Sequence, residues 1–507
     1  MKLLTAAQSR ALDRAATDAN IPGASLMSSA ARHIADAAAE LLPKGGFAAV
    51  FCGTGGNGGD GFGAAAELLR RGYTVRVFTL GDPDKMGSDA REMLRRFRDY
   101  GGAPEDFAQT PDAESYAAAC GVIIDAILGA GRTRAVTGEF LRAIECVNAS
   151  RAKVVAADIP SGADADNGAI HGVAARADVT VTFTAAKPGH FLTPASLSCG
   201  EVRVRGIGIP RELSDRALAD AMTHAVTRGD VVIPRRAPDT HKGDYGRVLA
   251  VAGSVGYTGA PVFAALAASR AGAGLVALGV PERVYPIAAV KCVGEMPFPL
   301  AGADTVSIDA WDRIAERLAW ADAALLGPGL QNTPDTREIV LRALKTAAIP
   351  LILDADGINA LSGNIDILRE TAAPVLLTPH DGEFTRVGGD FTHGRLHAAR
   401  AFAAKYGCVL ILKGHRTITA LPDGSAYINT TGCAAMAKGG SGDVLAGMLL
   451  AFLGQGFPIK DAAIAAVYLH GLAGELAARE LGEYSVTPED LLRHISGAIL
   501  SCAEPPT

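Results

Sequence analysis

The run Phe47 to Cys52 passes without a break into Gly53-Thr54-Gly55-Gly56-Asn57-Gly58-Gly59-Asp60-Gly61, and that junction limits the fold more than any other feature of the chain. An apolar run this short, bounded by glycines, reads as a buried strand. Glycines after it let backbone approach a ligand closely. A helix pattern follows, and Thr74 to Leu80 reads as the next strand. Strand, glycine loop, helix, strand is the arrangement of a parallel α/β sheet with its ligand at the strand ends. The same grammar recurs three times. Val122 to Leu128 leads into Gly129-Ala130-Gly131-Arg132-Thr133-Arg134, Val154 to Asp158 into Ile159-Pro160-Ser161-Gly162, and Val179 to Phe183 toward Lys187-Pro188-Gly189. Asn57, Asp60, Asp125, Asp158, Ser161 and Lys187 are thereby gathered along one sheet edge. One shared site accounts for these polar loops better than separate solvated turns do.

The first glycine loop is too long for a dinucleotide fingerprint, and no Gly-Lys-Ser/Thr follows it as a phosphate-binding Walker loop requires. Asn57, Asp125 and Ser161 offer oxygen ligands of low total charge. That set suits a monovalent cation better than zinc, which takes His or Cys. Plain hydrogen bonding between the loops is the alternative.

Prolines and mixed charge between Pro210 and Pro238 place a junction near Met222 to Asp230, so the expected domains are 1–222 and 228–502. A second alternation starts after His241-Lys242-Gly243-Asp244. Its strands, from Arg247 to Ala252 through Val409 to Leu412, end in loops carrying Gly329, Asp356, His380, Glu383, Lys413 and Thr417. Thr417 to Asn429 reads as a hairpin around Asp423-Gly424. Then comes Gly439-Gly440-Ser441-Gly442-Asp443 before an apolar helix pattern. Backbone N–H groups of such a loop can surround an anion, and the start of a helix adds to the hole. A carboxylate beside it fits a base that deprotonates a hydroxyl attacking a phosphoryl group. The bland alternative is a glycine turn with Asp443 as N-cap. His380 by itself reads slightly better as a structural residue than as a ligand.

Charge and composition exclude other classes. A net charge of -6 gives no electrostatic case for nucleic acid or an anionic membrane, and 49% apolar with 20% charged residues points to a globular chain. The 8 cysteines are scattered, with neither a disulfide framework nor zinc spacing. No apolar run spans a bilayer, and the Met1 to Thr5 start is too short for a signal peptide. The expected place is the cytoplasm.

Gly58-Gly59-Asp60-Gly61, Asp158-Ile159-Pro160-Ser161-Gly162, Lys187-Pro188-Gly189, Gly327-Pro328-Gly329, Leu353-Asp354-Ala355-Asp356-Gly357, Thr378-Pro379-His380, Lys413-Gly414 and Gly440-Ser441-Gly442-Asp443 occur here in one order. In that order the chain resembles, over nearly its whole length, the bifunctional NAD(P)H-hydrate repair enzymes. The resemblance implies an α/β protein of two three-layer α/β/α domains, N-terminal Rossmann-like and C-terminal ribokinase-like. The first would epimerise the hydrates NADHX and NADPHX. The second would dehydrate the S epimer with ADP, leaving AMP and phosphate. By the same resemblance Asn57, Gly58, Gly59, Asp60, the run Gly129, Ala130, Gly131, Arg132, Thr133, Arg134, Ala135, and Asp158 bind the hydrate. Asn57, Asp125 and Ser161 hold potassium. In the second half Ala260, Gly329, His380 and Asp443 bind the hydrate, while Lys413, Gly414, His415, Arg416, Thr417 and Gly442 bind the nucleotide, with magnesium as its companion. Asp443 is the expected base, and Asp158 with Lys187 the pair moving protons in the epimerase. A homo-oligomer is expected. Departures are Gly56 in place of a second Asn, Ser28-Ser29 in place of Glu and Asn after Met27, and Cys433 in place of an Asn. The rival reading is a ribokinase-like kinase of a small vitamin alcohol fused to a non-catalytic ligand-binding module.

Overall fold

In the computed structural model, which describes residues 1–131 and 134–503, the chain divides into two compact units, Lys2–His224 and, with Met1, the chain from Ala225 on. The first unit is built on a seven-stranded sheet. Across it the strands run Pro104–Asp106, Thr74–Thr79, Phe47–Cys52, Val122–Ala126, Lys153–Ala157, Val179–Phe183 and Glu201–Arg205, each parallel to its neighbours. Residues alternate faces along each strand. Val50, Val77, Ile124 and Val155 therefore pack with Ile34, Phe62, Leu68, Met93 and Phe97 on one side. Phe51, Phe78 and Ile123 pack with Phe107, Ile144 and Val147 on the other. The result is three layers. Chain order runs outward from Phe47–Cys52 in one direction and then in the other from Val122–Ala126. The crevice between those two strand ends is where such a sheet takes its ligand.

The helix after the first strand begins at Gly56, earlier than the sequence suggests, so Asn57 and Asp60 lie in its opening turns rather than in a loop. Close packing explains the glycines. A Cβ on Gly58 would stand 1.7 Å from the Gly53 carbonyl oxygen. The helix Ala6–Asp18 opens with the expected capping box, in which Thr5 Oγ1 accepts from Gln8 N–H.

In the second unit the order is Ala426–Ile428, Ile418–Ala420, Val409–Leu412, Val375–Leu377, Leu351–Leu353, Ala323–Leu326, Arg247–Val251, Leu275–Pro281 and Met296–Leu300. The first two strands are antiparallel and form the expected hairpin, with Gly424 at φ +83° in its turn. All others are parallel. Here the direction reverses between Arg247–Val251 and Ala323–Leu326. Helix Ser441–Gly454 is apolar nearly all round and is buried in the core. It packs with helices Gly259–Arg270, Ile459–Leu481 and Pro488–Cys502 on Val248, Ala250, Leu278, Leu325 and Ile352. No helix among the described residues is long and apolar enough to cross a membrane.

Strands Pro104–Asp106 and Met296–Leu300 were not legible in the sequence. Both lie at sheet edges and contain proline, which an edge tolerates because its outward N–H groups have no partner.

Candidate functional site

A cavity of about 1000 Å³ opens at the strand ends of the first unit. Asn57, Asp60, Gly129, Ala130, Asp158 and Lys187 line it, and Gly131 and Arg134 complete the expected loop. Arg132 and Thr133 lie outside the described residues. Asp158 directly follows strand Lys153–Ala157 at φ +63°, an uncommon conformation for a residue with a Cβ. Its Oδ1 accepts from Lys187 Nζ at 2.6 Å and from Thr182 Oγ1 at 3.0 Å. The Lys187 side chain is only 3% exposed. His190 locks the corner. Its Nδ1 accepts from Lys187 N–H (2.9 Å), so its Nε2 carries the hydrogen donated to the Asp158 carbonyl (2.8 Å).

The charges follow from this packing. Burial pushes the Asp158 carboxyl up, but the Lys187 ammonium and its hydrogen bond outweigh that and leave it below the usual value. Burial and then the Lys187 charge hold His190 down at about 4, hence neutral. Asp60 is driven well up by burial and by the neighbouring Asp158 and Asp13. One ionised pair thus stands beside a carboxyl whose hold on its proton is strengthened, an arrangement suited to moving protons.

Asp125 is fully buried. Its Oδ1 accepts from Ser161 Oγ at 2.5 Å, and its Oδ2 from Ser161 N–H at 2.8 Å. Asn57 is buried too, and among the described residues neither Nδ2 nor Oδ1 of its amide has a partner. A Cβ on Gly129 would be 3.2 Å from Asn57 Cβ, so the loop after Val122–Ala126 touches the first turn of the helix that begins at Gly56. Asp13, Thr182 and His190 were not singled out from the sequence. Asp13 sits on an ordinary amphipathic helix and carries no local signal, whereas His190 follows Lys187 at a spacing that closes a turn.

In the second unit helix Ser441–Gly454 is capped by Gly440 in the left-handed region, φ +97°. Asp443 is not the N-cap. It stands at the third helical position, free of capping duty. Burial, then the charge of Asp354, pushes its carboxyl up to about 7, although Lys413 pulls the other way. Lys413 Nζ donates to Asp354 Oδ1 at 2.9 Å and lies 3.9 Å from Glu383 Oε2. The same ammonium is 3.4 Å from where a Cβ on Gly442 would be. Thr378 Oγ1 donates to Asp354 Oδ1 at 2.6 Å. Gly414 and Thr417 close a tight turn through Thr417 Oγ1, which donates to the Gly414 carbonyl at 3.1 Å. Arg416 donates to the Thr430 carbonyl, and its buried Nε has no partner among the described residues.

His380, expected from the resemblance to bind the hydrate, stands at the start of a short helix. Its Nδ1 accepts from Gly382 N–H at 3.0 Å and caps the helix Asp381–Arg386, while its side chain stays 59% exposed beside Glu383. Asp356 is tied into its turn by accepting from Gln331 N–H (2.8 Å). Ala260 and Gly329 meet, since a Cβ on Gly329 would lie 3.3 Å from Ala260 Cβ. Asp354 and His470 were not picked out as site residues from the sequence. His470 is buried beside Ser441, its Nε2 unpartnered among the described residues, and burial holds it down at about 4. Among the described residues no group of three or more His, Cys, Asp or Glu is arranged to hold a metal ion.

A family model described as NAD(P)H-hydrate dehydratase matches residues 248–496, and one described as YjeF-related protein N-terminus matches residues 23–189. The chain is 40% identical to a bifunctional NAD(P)H-hydrate repair enzyme of Moorella thermoacetica, over 97% of this chain and 95% of the relative. A repair enzyme of the same description from Thermofilum pendens is 36% identical over 99% of this chain and 97% of its own. A solved ribokinase-like superfamily protein of Enterococcus faecalis has a TM-score of 0.50 at 28% identity, covering 56% of this chain and 97% of that one. The relatives align across both units, and the chain belongs to the family of bifunctional NAD(P)H-hydrate repair enzymes.

Proposed function

We propose that the second unit dehydrates the S epimer of NAD(P)H hydrated at carbon 6, using ADP, and that the first unit interconverts the epimers to feed it. The observation that carries the dehydratase reading is the Asp443 carboxyl, held up at about 7 in the opening turn of a glycine-capped helix. A base with that value is matched to neutral pH. Asp443 takes the proton of the carbon 6 hydroxyl as its oxygen attacks the terminal phosphoryl group, and the nucleotide's P–O bond breaks to leave AMP. The ring nitrogen lone pair then expels phosphate from carbon 6. Loss of a proton from carbon 5 restores the reduced ring. Backbone N–H groups of Gly440 and Gly442, with Lys413 beside Gly442, are placed to meet the charge that moves. Magnesium fits as a companion of the nucleotide phosphates, since it keeps its waters and needs few protein ligands.

The test is incubation of the full chain with NADHX and ADP, or ATP, followed by absorbance of reduced nicotinamide. Recovery with ADP is expected. No recovery with either nucleotide defeats the reading, and a phosphorylated product that accumulates favours a small-molecule kinase instead.

In the first unit Asp158 and Lys187 handle protons at the carbinolamine. Potassium fits Asn57, Asp125 and Ser161 because the Asn57 amide is buried with its oxygen unclaimed. Bound potassium would neutralise the buried Asp125 carboxylate and steady the loop. Potassium is therefore expected to raise the melting temperature of the protein relative to lithium, and Asn57→Ala to lose that rise. An equal response to both ions in wild type defeats the assignment. Assembly into a homo-oligomer belongs to the same proposal, and sedimentation measures it.

A further inference from the structure

Tyr257 sits where the second sheet reverses direction. Its loop, Gly253 to Thr258, follows strand Arg247–Val251, and the facing turn, Gly327 to Gln331, follows Ala323–Leu326. The ends of two such strands form the crevice that holds a ligand. The loop is firmly pinned. Gly253 N–H donates to the Pro328 carbonyl at 2.7 Å, and buried Ser254 donates through Oγ to the Gly329 carbonyl at 2.7 Å. Gln331 Nε2 reaches Ser254 Oγ at 3.1 Å, and Tyr257 N–H closes the turn on the Ser254 carbonyl at 2.9 Å. A Cβ on Gly329 would lie 2.9 Å from Tyr257 Cβ, so the floor beneath the tyrosine is bare backbone.

On this rigid support the tyrosine is 59% exposed, and among the described residues no ring, cation or hydrogen-bond partner engages its side chain. A large aromatic side chain left open on a pinned loop is the arrangement that receives a ring with a planar conjugated side. The loop leads directly into helix Gly259–Arg270, whose Phe263 would be 2.9 Å from a Cβ on Gly440, so the helix that follows Tyr257 packs against the start of the Asp443 helix.

We propose that Tyr257 is the platform against which the hydrated nicotinamide ring of the substrate packs in the dehydratase site, through its planar carboxamide-bearing side. The inference rests on the dehydratase reading above. Stacking on the conjugated amide-bearing segment holds the ring while carbon 6 presents its hydroxyl, so the tyrosine sets hydrate affinity and leaves the nucleotide alone.

The test compares Tyr257→Ala and Tyr257→Phe in the full chain. Loss of the ring is expected to raise KM for the hydrate about tenfold or more, with phenylalanine within about twofold of wild type, since stacking needs only a π-face. KM for the nucleotide stays put. Emission from the reduced nicotinamide of bound product, perturbed in wild type and in Tyr257→Phe, returns toward the free value in Tyr257→Ala. An unchanged hydrate KM overturns the proposal. So does an equal rise for both substrates, which would mean a disordered loop, or a product emission unmoved by the substitution. If wild type itself restores no cofactor with either nucleotide, the dehydratase reading has failed. If wild type is active and Tyr257→Ala matches it, only the platform has.

Discussion

Asp443→Asn is expected to lower dehydration about a thousandfold or more while the protein stays folded, because a positioned base contributes on the order of 10²–10⁴ in rate. Asparagine keeps the shape and cannot accept the proton. The substitution also has a stability signature of opposite sign. In the folded protein the Asp443 carboxyl rises from 3.8 to about 7, so its ionised form opposes folding. That opposition reaches about 4 kcal/mol above pH 7. It shrinks as pH falls from about 7 toward 3.8 and is absent below. Asp443→Asn should therefore melt higher than wild type at pH 8 and lose the advantage by pH 4. For the wild-type enzyme, kcat/KM should climb with pH up to about 7 and level off above it. Thermal melts across pH and initial rates of NADH recovery read both effects. Full turnover by the asparagine variant sinks the mechanism.

Asp158→Ala is expected to reduce epimerisation to the spontaneous rate and to destabilise the first unit by roughly 3 kcal/mol, because it strands the buried Lys187 ammonium without its partner. Alanine at φ +63° adds about 1 kcal/mol more. Asp158→Asn should lose the same activity with less damage to the fold, since asparagine accepts that backbone conformation and still offers an oxygen. The readout is consumption of the R epimer when coupled to an intact second unit. If the alanine variant consumes it as fast as wild type, above the uncatalysed rate, this pair has no catalytic part.

Much of this architecture is readable before any coordinates, and the rest is hidden for definite reasons. Buried parallel strands such as Val122–Ala126 are continuous apolar runs, and the polar residue that closes each run falls at the ligand edge by topology alone. Gly440 to Asp443 is equally plain, because few sequences put an acid directly behind so many small residues. The start of the first glycine-rich helix was misplaced because glycine disfavours helix locally, while packing against Gly53 demands it globally. Asp13 and Asp354 answer to charges far away in sequence, Lys187 and Lys413 respectively. A tertiary pairing of that kind leaves no trace in local spacing. His190 and Thr182 needed the strand register and the turn to bring them onto Asp158.

The rim strand Met296–Leu300 carries a last consequence. In a parallel ladder alternate residues face opposite neighbours, and Met296, Phe298 and Leu300 share one direction while Pro297 and Pro299 share the other. The inner rung keeps its donors, and the outward rung has none to offer. Despite the exposed Val290 and Val293 close by, a stray chain arriving at this border finds no amide hydrogens to zip onto, which guards a long parallel sheet against growing by accretion.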